Sequence, residues 1–160
     1  MKIRKVTHNN RRKAFEITTH RGSYVYPYAR LKVMPTSHNV IKDVYVDREL
    51  DNEAFTYVLE AGQEGTVHID HVLDYNQDPT YLKNMLIYKL TLEAQKRVEE
   101  SALSKREIIR RLGTSASQLY RLLDQTNYRK SIGQLLALLD ILGCDVDVCV
   151  KERTQARVTR

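Results

Sequence analysis

The chain has 160 residues, 42% of them hydrophobic, which is enough for one buried core or two small ones. Charged residues break its apolar runs every few positions, so none reaches the roughly 20 residues of a membrane span. The start, Met1-Lys2-Ile3-Arg4-Lys5-Val6, lacks an apolar signal core and a small-residue cleavage site, so the expectation is a cytoplasmic protein with no membrane partner.

The net charge of +6 is unevenly spread. Residues 1–78 hold 11 Lys and Arg against 11 Asp and Glu, whereas residues 79–160 hold 15 against 9. Residues 101–130 alone hold 7 against 2, a local concentration that suits either a phosphate-facing surface or a solvated basic helix face. The first half is itself polarised: residues 1–37 carry 9 basic groups and 1 acid, residues 38–78 carry 2 and 10, so its basic side is expected to extend a nucleic-acid footprint.

In chain order, β-branched and aromatic residues first alternate with polar ones over residues 2–6, 14–19, 23–28, 40–46, 55–59 and 66–72, separated by turn-forming stretches. These runs predict a small, mostly antiparallel β domain over residues 1–78. Ala61-Gly-Gln-Glu-Gly65 should close a hairpin that puts Tyr57, Leu59, Val67 and Ile69 on one buried face. Tyr24, Tyr26 and Tyr28 share a strand face, either as a stacking platform for unpaired bases or as cross-strand packing. His68, Asp70, His71 and Asp74 gather possible metal ligands, but a strand places His68 and His71 on opposite faces, so no metal site is expected.

After Pro79 the period becomes helical, through Leu82, Met85, Leu86, Leu90, Ala94 and Val98. Thr91 fits either the interior of one long helix or the cap of a second, so residues 79–101 can be one helix or two. Ser104-x-x-Glu107, Ser115-x-x-Gln118 and Ser131-x-x-Gln134 each match a capping box and predict helices over 104–112, 115–124 and 131–142.

Leu112-Gly113-Thr114-Ser115 ends one helix and caps the next within two residues, which requires glycine in a left-handed conformation and a sharp crossing. Ile108, Ile109 and Leu112 then meet Leu119, Leu122 and Leu123 as an interior. Ser115, Ala116, Ser117, Gln118, Tyr120 and Arg121 occupy the opposite, polar side. Arg121 suits bidentate pairing to guanine and Gln118 to adenine, although Arg121 is equally placed for an ion pair with Glu107 or Asp124.

The run from Ser104 to Leu123 resembles the helix-turn-helix core of the lambda-repressor-like (Cro/Xre) family, the likeness extending over about residues 90–143. The resemblance implies that the helix beginning at Ser115 is the recognition helix. It places Ser115, Ala116, Ser117, Gln118 and Arg121 at the bases, and Lys105, Tyr128, Arg129 and Lys130 at phosphates; Tyr120 is a further base-readout candidate that fits packing against the first helix or against a partner equally well. Ile109 and Thr114 stand where that family usually has alanine and an apolar residue.

In the last helix Ile132, Leu135, Leu136, Leu139 and Leu142 form the expected inward stripe, which leaves Leu138 and Ile141 beside it. Cys144-Asp-Val-Asp-Val-Cys-Val150 alternates strictly and predicts a terminal strand with Val146, Val148 and Val150 on one face. Such a strand needs a partner, either in the β domain or in a second copy, and Leu138, Ile141, Val146 and Val148 are the expected homodimer contacts. Cys144 and Cys149 read as reduced packing residues.

The expected fold class is α+β: a β domain over 1–78, a helix-turn-helix domain with a terminal strand over 79–151, and a polar tail over 152–160. With no phosphate-binding glycine loop, zinc spacing or nucleophile elbow, neither enzyme nor cofactor is expected. The resulting expectation is a sequence-specific regulator of duplex DNA, and the resemblance implies an autoregulating antitoxin-type repressor with a toxin partner. The competing readings are an RNA or single-strand binder using Tyr24, Tyr26 and Tyr28, and a protein-interaction module that retains the fold.

Overall fold

A computed structural model describes residues 1–152; the polar tail from residue 153 onward lies outside the described residues. The chain divides into two compact units, Met1–Lys83 and a second that begins at Asn84.

The first unit holds two antiparallel three-stranded meanders. The first is β1 (Ile3–Asn9), β2 (Ala14–Thr19) and β3 (Ser23–Pro27); the second is β4 (Ile41–Asp47), β5 (Ala54–Leu59) and β6 (Glu64–His68). Each is ordered as in the sequence because short turns can join only neighbouring antiparallel strands. Phe15 on β2 binds the two sheets into one core, with ring centroids 4.8 Å from Tyr28, 4.9 Å from Phe55 and 5.6 Å from Tyr57. Offset and tilted aromatic pairs at these separations add attraction beyond the area they bury.

The predicted hairpin forms, and Tyr57, Leu59, Val67 and Ile69 are all buried. Tyr57 lies opposite Gly65, and its hydroxyl donates to the Val33 carbonyl at 3.0 Å while the Val33 amide donates back at 3.3 Å. A Cβ on Gly65 would overlap the Tyr57 hydroxyl and ring. Gly65→Ala is therefore expected to destabilise this unit by about 1–2 kcal/mol, seen as earlier loss of the near-ultraviolet tyrosine signal on heating.

One expectation for this half needs correction, and one open alternative is decided. The strand predicted over 66–72 stops at His68, and Ile69–Tyr75 forms a helix, α1. The His68 imidazole caps it, accepting from the Asp70 amide at 3.3 Å, and Ile69, Val72 and Leu73 face the core at helical spacing. The tyrosine alternation marks the core face: Tyr24 and Tyr26 lie opposite Ile17 and Phe15, Tyr26 and Tyr28 are buried, and Tyr24 donates to Asp78 at 3.1 Å. A stacking platform is not available there.

Residues Pro79–Glu100 form one helix, α2. Thr91 does not break it, because its hydroxyl donates to the Ile87 carbonyl one turn back at 2.7 Å. In the second unit α2 is followed by α3 (Lys105–Leu112), α4 (Ala116–Leu123) and α5 (Ile132–Ile141). Their core contains Ile87, Ala94, Ile108, Leu119, Leu122, Leu135, Leu138 and Leu139.

The inward stripe of α5 is shifted from the expected one. Leu138 is fully buried and Leu136 is 39% exposed, so Leu138 has no surface left to offer a second copy. Residues 144–150 pair with no strand among the described residues, and Val148 and Val150 are almost fully exposed. A strand pattern without an edge to join leaves its amides to water.

Candidate nucleic-acid interface

The joint between α3 and α4 is built by Gly113, whose φ of +64° and ψ of +36° are left-handed. The Gly113 amide donates to the Arg110 carbonyl at 3.2 Å and the Thr114 amide to the Ile109 carbonyl at 3.2 Å, the paired bonds of a Schellman ending. Ile109 lies partly buried at the rim of the core, so its bulk needs no interior room.

Ser104 Oγ accepts from the Glu107 amide and Ser115 Oγ from the Gln118 amide, each at 3.2 Å, which starts α3 and α4 where the capping pattern places them. Ser131 heads α5 without a side-chain cap bond. The return half of the first box is replaced: Glu107 turns its carboxylate to Arg110 at 2.6 and 2.9 Å and to Arg111 at 2.9 Å. These bonds, Arg110's first, hold the Glu107 carboxyl at about 2. A folded-state value below the ordinary 4.5 means the link stabilises α3 fully above that pH and is lost as pH falls toward 2. The difference in melting temperature between wild type and Glu107→Gln is therefore expected to hold steady down to about pH 5 and vanish near pH 2.

The cap, the glycine joint and the apolar spacing together orient α4. Leu119 and Leu122 point into the core, whereas Ser115, Ala116, Ser117, Gln118, Tyr120 and Arg121 are all exposed. Arg121 makes no ion pair among the described residues: Glu107 is occupied, and Asp124 Oδ1 accepts from the amide and hydroxyl of Thr126. Lys105 lies with its ammonium 5.4 Å from the Tyr120 ring centroid, which brings a predicted phosphate contact beside the predicted reading face.

Sequence reasoning missed how the far end of α4 is held. Asn127 Nδ2 donates to the Arg121 carbonyl at 3.3 Å, Lys130 Nζ to Leu122 at 2.8 Å and to Asp124 at 2.6 Å, and Gln95 Nε2 to Leu123 at 2.7 Å. Helix-end carbonyls lack intrahelical partners, and here three side chains supply them. Lys130 was expected at a phosphate; its half-buried ammonium instead caps α4, and burial draws its pKa below the usual lysine value. Tyr128 and Arg129 are exposed as expected. Between α4 and the start of α5 lies a concavity of about 300 Å³ lined by Gln118, Arg121, Arg129, Lys130, Ser131 and Gln134, where cations meet the unbonded first amides of a helix.

A short helix, a left-handed glycine joint and a second helix with a buried apolar side and an exposed polar side define a helix-turn-helix domain. Residues 95–147 match the family model of the Cro/C1-type HTH DNA-binding domain, so this part of the chain is similar to DNA-binding domains of that type, a likeness that supports a DNA-binding regulator. No curated protein and no solved structure matches the chain. Among the described residues, no helix is long and apolar enough to cross a membrane.

Proposed function

We propose that the protein is a cytoplasmic transcriptional regulator that reads specific duplex DNA with α4, binds as a homodimer and catalyses no reaction. The observation carrying this reading is the division of α4: every residue expected at the bases is exposed, while Leu119 and Leu122 anchor the helix beneath them. Small and polar groups near the start of such a helix admit it to a major groove, and Gln118 and Arg121 supply paired hydrogen bonds to base edges. Lys105, Tyr128 and Arg129 then fix register on the phosphates.

Selection from a pool of random duplexes tests it. A recurrent motif enriched by the wild type, with binding that weakens steeply with salt, supports the proposal. Enrichment of single strands, or binding indifferent to sequence, overturns it. Arg129→Ala is expected to weaken all duplexes alike and lower the salt slope by about one. Lys130→Ala should act mainly on melting, since its ammonium holds α4.

Homodimerisation is supported by apolar side chains left bare toward the end of the chain: Leu136, the half-buried Ile141, Val146 at 44% and Val148 at 88% exposure. The alternating segment 144–150 gains a ladder partner when its own copy lies antiparallel to it, and a two-fold pair of α4 helices matches a palindromic site. Sedimentation should show a dimer that Val148→Lys converts to monomer. The autoregulating, antitoxin-type setting rests on resemblance of the helix-turn-helix core, and neutralisation of a neighbouring gene's toxic product by this protein is its test.

A further inference from the structure

The β unit contains a cavity of about 430 Å³, within the range of about 300–1,000 Å³ typical of small-molecule sites. Its walls are mostly apolar, from Pro27, Ala29, Met34, Pro35 and Val40, and Met34 remains 52% exposed. A flexible thioether bordering an open apolar hollow adapts readily to a guest's shape. Two of the polar groups lining it are bonded within the protein: the Tyr28 hydroxyl donates to Asn10 Oδ1 at 3.1 Å, and Asn10 Nδ2 donates to the Ile41 carbonyl at 2.8 Å. The wall is braced as well. Thr36 and Asn39 exchange backbone bonds at 3.1 and 3.3 Å, and the Asn39 side chain bonds Gln63 and the Ala61 amide.

Lys13 lines this cavity and differs from the rest. Its φ is +52°, a left-handed conformation that is costly for a residue with a Cβ and is held here because its carbonyl accepts from the Tyr28 amide at 2.9 Å. Its ammonium makes no ion pair or hydrogen bond among the described residues, whereas Arg12 beside it reaches Glu16 at 3.7 Å. In sequence it belongs to a basic stretch, since the first 42 residues carry ten Lys and Arg and a single acid, Glu16. An apolar hollow with one unpartnered cation complements one kind of guest, and a neutral molecule of the same shape would leave that cation unused.

We propose that this cavity binds a small organic anion with an apolar body, its charge held by Lys13 and its body lying against Met34, Pro35 and Val40. The site is independent of the DNA reading, and so is its test. The 160-residue chain carrying ¹³C-methyl methionine has three signals, from Met1, Met34 and Met85. Titration with octanoate should move the Met34 signal saturably and leave Met85 in place, and 1-octanol should bind at least about tenfold more weakly. Lys13→Asn removes the cation and suits the left-handed backbone. It should weaken octanoate about tenfold without changing octanol. Ala29→Trp, a substitution at an exposed position on the rim, should block both. A stationary Met34 signal, equal binding of octanoate and octanol to the wild type, or unchanged octanoate binding by Lys13→Asn overturns the proposal.

Discussion

Leu119→Ala is expected to cost the helical unit about 2–5 kcal/mol. Leu119 is 1% exposed and shares a core with Ile108, Leu122, Leu135 and Leu138, so truncation removes buried methyl groups and leaves a void that helices anchored at both ends do not fill. Against a total of roughly 5–15 kcal/mol for a small domain, this is a large fraction. The midpoint of the helical transition followed by circular dichroism should fall by roughly 10 °C or more. The neighbouring substitution Tyr120→Ala provides the contrast, because Tyr120 is 59% exposed. It should change stability by no more than about 0.5 kcal/mol and act on DNA binding instead. Equal stability losses for the two variants would mean that α4 does not divide as described.

Arg121→Ala is expected to act in the opposite way, leaving folding intact and relaxing recognition at one base pair. An arginine bidentate to guanine discriminates by ~1–3 kcal/mol, roughly five- to more than a hundredfold in affinity. The side chain is exposed and unpaired among the described residues, so its removal leaves no buried partner behind. Titrating wild type and variant against the selected duplex and its single-position changes should show one position at which the wild type discriminates and the variant does not. A uniform loss across all duplexes would assign Arg121 to phosphate contact.

What the sequence made legible was local. Ser104, Gly113 and Ser115 act within four residues of themselves, and their cap bonds and left-handed turn could be read from spacing alone. The polar side of α4 followed once its start was known. The phase of α5 was not legible, because seven of the ten residues in Ile132–Ile141 are apolar and several stripes fit equally well. Helix α1 was hidden because Val67 and Ile69 continue the alternation of β6 before Ile69, Val72 and Leu73 take up the helical spacing. The clamp on α4 was invisible for a different reason. Gln95 meets Leu123 across 28 positions, and no local pattern tells a lysine that caps a helix from one that meets a phosphate. The terminal segment shows a third limit: alternation at 144–150 records what the segment can pair with, while pairing itself needs an edge from elsewhere.

Amide chemical-shift mapping of the ¹⁵N-labelled full chain, titrated with the duplex enriched by selection, addresses the exposed side of α4 directly. Large shifts concentrated at Ser115 to Arg121, with smaller ones at Lys105, Tyr128 and Arg129, are the predicted result. Shifts confined to residues 1–78, with the α4 amides unmoved, would contradict the assignment of α4 as the element that reads DNA.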